Sequence, residues 1–172
     1  MAAAHGYFEW YDLTKSFNDI RDYRGDSLAK ARNNNSITAV LDGNDFKYFS
    51  YLVTKSRLAN RYDDPQAAYT VFAPRDDTLD DDTKRFITNA DINLARQLVD
   101  SATIPRIIRA PTLMEPGVYW ADTRNSSERL LVDNRQGNYP IISGHKILAG
   151  NLDLENGVVY QIMGLIIPSR IL

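Results

Sequence analysis

The sequence predicts an α+β domain in which helices come first and a meander of strands follows. Between residues 46 and 102 apolar side chains recur at helical spacing, and from Pro105 onward short β-branched and aromatic runs alternate with turn sequences. Two apolar runs that end at proline, residues 69–74 and 156–168, have the composition of buried strands. Segregated helices and strands of this kind indicate helices packed on a sheet or wedge.

Length and composition indicate one globular domain with a short extension. The chain has 172 residues, of which 44% are apolar and 24% charged. A domain of this size buries about 68–70% of its unfolded surface, so one core suffices and two full domains are not expected. The formal net charge of −2 and the interleaving of arginine with aspartate over residues 21–26 argue against a nucleic-acid partner. Cysteine is absent, which excludes disulfides, thiolate metal sites and thiol nucleophiles.

Residues 1–36 differ in character and are predicted to form an N-terminal extension of a domain that spans residues 37–172. Six of the eighteen aromatic residues fall in this extension, which closes on a polar run at residues 33–36. Aromatic side chains are enriched at protein interfaces, so we expect part of this segment to dock onto a partner. The residues predicted to make that contact are Tyr7, Phe8, Trp10, Tyr11 and Phe17. The alternative, that the segment covers the domain's own apolar surface, fits the sequence equally well.

The first residues lack the basic region and the uninterrupted apolar region of a secretory signal peptide. The longest apolar run, residues 162–167, is far shorter than the roughly 20 residues that span a bilayer, so no membrane anchor is expected. Both observations favour a protein that is made and used inside a cell or packaged in a virion. An extracellular protein is expected only if a leader has been removed.

Each predicted element has a local reason. Apolar residues on one face predict a helix from about residue 46 to residue 62, capped by Asn44 or Asp45 and ended by Pro65. Two shorter helices are predicted at residues 82–88 and 91–102, where aspartates stand at the N-termini. The predicted strands are residues 69–74, 112–114, 118–122, 129–133, 141–143, 146–151 and 158–166.

Two motifs connect these elements to a known family. The strand Thr70-Val71-Phe72-Ala73-Pro74 precedes an acidic run, and a second block reads Asn156-Gly157-Val158-Val159 and closes with Leu165-Ile166-Ile167-Pro168. In this order and separation the chain resembles a fasciclin-like domain over about residues 37–168. The resemblance implies the fasciclin fold, helices followed by a β-rich wedge or sandwich, and gives the motif residues structural roles. It implies no reaction.

Two positions depart from that family's pattern. Tyr160 stands where the second motif usually has histidine. Residues 98–105 lack the Tyr-His pair that is linked in animal members to integrin-dependent adhesion. The resemblance therefore carries a scaffold to this chain, and the departures count against integrin binding.

A catalytic centre is not expected. The two histidines, His5 and His145, have no partner evident in the sequence, and Ser143 lacks the Gly-x-Ser-x-Gly elbow. The five aspartates of residues 76–82 could offer oxygen ligands to a cation, but their spacing is not that of a calcium loop. Helix capping is the favoured interpretation of this acidic run. No cofactor and no metal ion is predicted.

These observations predict a non-catalytic module that binds protein partners, as one part of a multi-subunit assembly such as a minor capsid component of a virus particle. Cell-surface or matrix adhesion of the fasciclin type is the alternative. A hydrolase is a third possibility, which requires His145 and a carboxylate to converge in a cleft.

Overall fold

The computed structural model describes residues 36–43, 45–135, 140–150, 154 and 156–171, together with the backbone of residues 8–9. Its strands are β1 (Phe8–Glu9), β2 (Tyr69–Pro74), β3 (Thr103–Ile104), β4 (Gly117–Asp122), β5 (Arg129–Asn134), β6 (Ile141–Ile142), β7 (His145–Gly150) and β8 (Gly157–Ile162). They form one sheet in the order β3-β2-β8-β7-β6-β5-β4, and β1 runs beside the end of β7. The predicted α+β class is confirmed.

The helices gather before and around β2. They are α1 (Ile37–Leu41), α2 (Lys47–Ser56), α3 (Ala59–Asp63), α4 (Asp81–Thr88), α5 (Ile92–Ser101) and α6 (Ala110–Leu113), with a 3-10 turn over Asp76–Thr78. Ser36, Asp80 and Asp91 cap α1, α4 and α5, each accepting a bond from the N–H three residues on. Within the described part of the chain, no helix is long and apolar enough to cross a membrane.

Strands β2 and β8 are the parallel centre of the sheet, with Val71 opposite Val159 and Phe72 opposite Tyr160. Val71 and Ala73 pack among the helices in one apolar cluster. Phe72 and Tyr160 pack on the other face, against the meander from β4 to β7, in a second cluster. Because neither face of this pair meets water, both strands are apolar without alternation, which explains the continuous runs in the sequence.

Three predicted elements are wrong in detail. The single helix predicted from residue 46 to residue 62 is two helices, because Arg57 adopts a left-handed conformation (φ 61°) that ends α2. The strand predicted at residues 112–114 is instead the end of α6. Pro111 lies in the first turn of this helix, where a backbone N–H has no partner within the helix, so proline is tolerated there. The last strand ends at Ile162, and Gly164 (φ 77°) then turns the chain.

The cap of α2 also differs from the prediction of Asn44, which lies outside the described residues, or Asp45. No capping hydrogen bond comes from the side chain of the N-cap residue of this helix, Phe46. The Asp76 carboxylate instead accepts the N–H groups of Lys47 (2.8 Å) and Tyr48 (3.1 Å). The carbonyl of Asp45 accepts the Asp76 N–H (2.9 Å), which fixes the acid at the helix start. A residue from the acidic run thus caps a helix that is remote in sequence.

Strand β1 ties the N-terminal segment to the domain. Phe8 pairs with Gly150 and Glu9 with Ala149, antiparallel to β7. The other residues predicted to contact a partner lie outside the described residues, as does the side chain of Phe8. They are Tyr7, Trp10, Tyr11 and Phe17. Their role, and the division of the chain at residue 36, stay predictions.

Candidate interaction surface

Both sequence motifs lie inside the molecule. The strand Thr70–Pro74 runs in register with β8, from Thr70 opposite Val158 to Pro74 opposite Ile162. Thr70, Val71, Phe72, Ala73 and Val158 are at most 1% exposed. The motif residues therefore hold the sheet together and offer little surface to a ligand.

Asn156 joins three elements through its side chain and its backbone carbonyl. Its Oδ1 accepts the N–H of Ile37 (3.1 Å), and its Nδ2 donates to the carbonyls of Tyr62 (2.7 Å) and Asp64 (3.0 Å). Its own carbonyl accepts the N–H of Tyr69 (3.1 Å). The start of α1, the end of α3 and the start of β2 are thus held by one fully buried residue.

Gly157 follows at a position that admits only glycine. Its φ is 151°, and a Cβ there would lie 2.0 Å from the carbonyl oxygen of Tyr69. The N–H of Leu154 donates to the Gly157 carbonyl (2.9 Å), which closes a tight turn before β8. The Asn156-Gly157 pair thus forms a turn, and glycine lets β8 approach β2 at its first residue.

The position where the resemblance leads one to expect histidine is a buried tyrosine. The Tyr160 ring stacks on Phe72, with centroids 5.7 Å apart, and its hydroxyl donates to the carbonyl of Ile108 (2.9 Å). Beside it, the Thr70 hydroxyl donates to the Arg106 carbonyl (2.8 Å) and accepts the Ile108 N–H (2.7 Å). These bonds fasten the segment before α6 across β2 and β8, so this side chain has a structural role.

A second buried tyrosine is also structural. The hydroxyl of Tyr62 lies 2.7 Å from that of Thr103. Because the Thr103 hydroxyl donates its proton to the carbonyl of Val99 (2.9 Å), Tyr62 is the donor in the bond between the two hydroxyls. Burial raises the pKa of Tyr62 to about 12. Arg61 and Asp100 form an ion pair next to it. A phenol held protonated in this way braces α3 against β3 and does not act as a base.

The acidic run stabilises helix starts. Asp80 accepts the N–H of Thr83 (2.8 Å), and this bond lowers the pKa of the Asp80 carboxyl. Asp77 and Asp82 form ion pairs with neighbouring arginines. The predicted capping role holds for Asp80 as it does for Asp76. In the residues that the structure covers, no group of three or more carboxylates and histidines is placed to hold a metal ion.

His145 lies at the start of β7, partly buried. Its Nδ1 is 2.8 Å from the carbonyl oxygen of Met163, and a Cβ at Gly164 would lie 3.3 Å from the same nitrogen. The Ser143 hydroxyl accepts the N–H of Leu131 on β5 (2.9 Å), so it takes part in the hydrogen bonding of the sheet. Among the described residues, no carboxylate bonds to His145, so the arrangement required of a hydrolase is not assembled there.

Among the described side chains of the sheet, the exposed large apolar ones lie on β4. Trp120 is 55% and Val118 48% exposed, and alternation along the strand puts them on one face. The guanidinium of Arg129, on β5, lies over the Trp120 ring at 5.0 Å from its centroid. We refer to Val118, Trp120 and Arg129 as the β4 face.

A groove of about 430 Å³ adjoins Trp120, between the start of β5 and the C-terminal segment. Its apolar lining is Leu130, Ile166, Ile167 and the motif residue Pro168. The Glu128 carboxylate accepts the backbone N–H (2.9 Å) and the hydroxyl (3.2 Å) of Ser169, which holds the C-terminal segment in place. The β4 face thus continues into a concave surface with polar and apolar walls.

Comparison with known proteins identifies the scaffold. A family model of the fasciclin domain matches residues 44–168. The chain belongs to the fasciclin domain family. The search of curated proteins gave no match for this fasciclin domain. Among solved structures, a FAS1 domain pair from the insect cell adhesion molecule fasciclin I is similar, with a TM-score of 0.61 and 15% sequence identity.

That likeness covers 78% of this chain and 51% of the insect one, so the fasciclin domain described here spans about half the length of the pair. At this identity the likeness shows the fold alone. The fold and family inferred from the two sequence motifs are confirmed.

Sequence reasoning located the motifs of this fasciclin domain but not its exposed face. Val118 and Trp120 were predicted only as members of a strand at residues 118–122. Their alternation with Tyr119 already places them on one face. That this strand is at the edge follows from the order of the sheet, which the sequence does not display.

Proposed function

We propose that this fasciclin domain is a non-catalytic module that binds a protein partner through the β4 face. One observation carries the proposal: a tryptophan that is 55% exposed lies on an edge strand, while the family motifs are buried. Tryptophan and arginine are the residue types that most often dominate binding energy at interfaces. Arg129 lies over Trp120 and restricts the ring in advance, which lowers the entropy lost on binding.

The groove supports the same proposal. It adjoins Trp120 and combines apolar walls with the polar side chains of Ser127, Glu128 and Arg129, as interface pockets do. The name of the insect neighbour, a cell adhesion molecule, places that protein in the same broad class of function. For this chain the proposal has two settings, a subunit of a larger assembly such as a virus particle, or adhesion at a cell surface or matrix. The identity of the partner decides between them.

The test compares two exposed aromatic residues. Trp120→Ala removes the centre of the β4 face, and Tyr51→Ala removes a ring of similar exposure (40%) on α2, away from the sheet edge. With the full chain as bait in its native source, we expect Trp120→Ala to weaken partner capture by roughly 30-fold, about 2 kcal/mol. Tyr51→Ala should capture the same proteins as the wild type. Equal capture by both variants, with both folded by circular dichroism, contradicts the proposal.

A further inference from the structure

We propose that the free edge of β4 pairs with the β4 strand of a second copy of this chain. The two strands run antiparallel, and a two-fold axis passes between the two copies of Tyr119. This inference rests on the proposed function, because Val118 and Trp120 of the β4 face form the new strand pair. It identifies the partner as a second copy of the chain.

The backbone of β4 turns specific groups to its free edge. The N–H of Leu131 donates to the Ser143 hydroxyl (2.9 Å), and its carbonyl accepts the Ser143 N–H (2.8 Å), so the backbone of Leu131 points toward β6. Backbone direction alternates along an antiparallel strand. The two neighbours of Leu131 therefore point toward β4, where they pair with Tyr119 and Ala121.

It follows that Val118 and Trp120 direct their N–H and C=O groups away from β5. Arg124, four residues after Trp120, has the same backbone direction in this alternation. Its N–H also points away from β5 and donates to the Thr103 carbonyl of β3 (2.9 Å). Among the described residues, no backbone bond from another element reaches Val118 or Trp120 on that side. The residues with the exposed large apolar side chains of the strand thus also present open hydrogen-bonding groups.

This edge carries little of the usual protection, since its one charged residue, Asp122, lies at the end of the strand. Natural edge strands are shortened, bulged, or interrupted by proline or lysine, which blocks pairing with another chain. Strand β4 has six residues in unbroken register with β5, and none of them is proline or lysine. The edge at β3 has two residues, both fully buried, and the Thr103 carbonyl already accepts the N–H of Arg124, just beyond the end of β4. Strand addition is therefore open at β4 and closed at β3.

The strand is complementary to itself. Antiparallel pairing about Tyr119 sets Val118 of each copy opposite Trp120 of the other, an aromatic and β-branched pair that stabilises antiparallel sheets. Both residues direct their backbone groups to the partner strand, so each such pair exchanges two hydrogen bonds. No like charges face each other, since Asp122 falls opposite Pro116. The small net charge of −2 adds little repulsion between copies.

Sedimentation velocity over a dilution series tests the association. We expect the wild-type chain to dimerise and Val118→Asp to raise the dissociation constant at least tenfold, because it places a carboxylate in the new strand pair. Met163→Asp, at a residue of similar exposure (46%) outside β4, should dimerise like the wild type. A wild-type chain that is monomeric at every concentration overturns the proposal, and so does equal weakening by the two variants.

Disulfide trapping tests the register. The chain has no cysteine, so a single introduced thiol can bond only to another copy. Residues on the two-fold axis approach to about 4.5 Å between Cα atoms in a non-hydrogen-bonded pair, within disulfide range. Tyr119→Cys should therefore form a covalent dimer on oxidation, whereas Asp122→Cys, about 20 Å from its own copy in this register, should not. Trapping of both variants or of neither contradicts the register.

The two proposals fail separately. If the wild-type chain is monomeric but Trp120→Ala still loses its captured partner, the β4 face binds a different protein and the second copy is refuted. If the chain dimerises through β4 and capture of other proteins is independent of Trp120, the second copy is the partner of the β4 face and binding of a different protein there is refuted.

Discussion

Asn156 shows how much of this fold depends on single buried polar groups. Its amide satisfies one backbone N–H and two backbone carbonyls that come from α1 and from the end of α3. The Ile37 N–H and the Tyr62 carbonyl are shielded from water once the helices have closed over β8, because Asn156, Ile37 and Tyr62 are fully buried. The residue thus acts as a connector between the helical layer and the centre of the sheet.

We predict that Asn156→Ala lowers the free energy of unfolding by about 2–4 kcal/mol, since it leaves at least two buried backbone groups without partners. Urea denaturation followed by circular dichroism measures the change. The matched control is Asn89→Ala, at an exposed position after α4, which should stay within about 0.5 kcal/mol of the wild type. Similar losses in the two variants would show that the amide bonds of Asn156 contribute little.

At the scale of the residue, the sequence predicts the turn at Asn156-Gly157 but not the distant groups that Asn156 binds. The dipeptide Asn156-Gly157 predicts a turn because glycine tolerates positive φ. The partners of Asn156 are 92 to 119 residues away. They come together only through the register of β2 with β8, and no local pattern encodes a register between strands so far apart.

Helix α2 shows the same division between local and distant causes. Its apolar face was visible as a periodic pattern, but its N-terminus is stabilised by Asp76, which belongs to a separate turn after β2. The interpretation of the acidic run as helix-capping was correct in kind. It could not assign Asp76 to α2, because that contact forms only when β2 passes beside the helix start.

We expect Asp76→Ala to destabilise the domain by about 1 kcal/mol, as the loss of a helix cap does. Asp77→Ala, one residue on, removes an exposed ion pair with Arg75 and should cost less than about 0.5 kcal/mol. Thermal unfolding of the two variants under the same conditions makes the comparison. A larger effect from Asp77 than from Asp76 would refute the assigned cap.

The wrongly predicted strand at residues 112–114 has a different cause. Thr112, Leu113 and Met114 suit either a short strand or one turn of helix, and a run of three residues has no measurable period. The segment becomes α6 because Arg106 and Ile108, a few residues earlier, are fastened to the Thr70 hydroxyl. Tertiary contacts determine the conformation of this segment, and a single sequence does not reveal those contacts.

At the scale of the molecule, the two edges of the sheet differ, and this difference supports the proposed role of the β4 face. Apolar clusters cover both faces of β2 and β8, so the family motifs are enclosed. The edge at β3 is short and buried, whereas the edge at β4 carries Val118 and Trp120 in the open. The scaffold was predictable from its two motifs, because they are contiguous in sequence. The location of the proposed binding edge required the strand order.

The central claim is that β4 offers a free edge that a second β4 strand completes, and residue-resolved amide hydrogen exchange measures this directly. At high dilution the amides of Val118 and Trp120 should exchange rapidly, while those of Tyr119 and Ala121, bonded to β5, should be protected. Raising the protein concentration should protect Val118 and Trp120 and leave the other two unchanged. Rapid exchange of Val118 and Trp120 at every concentration, or protection that is already complete at the highest dilution, would contradict the claim.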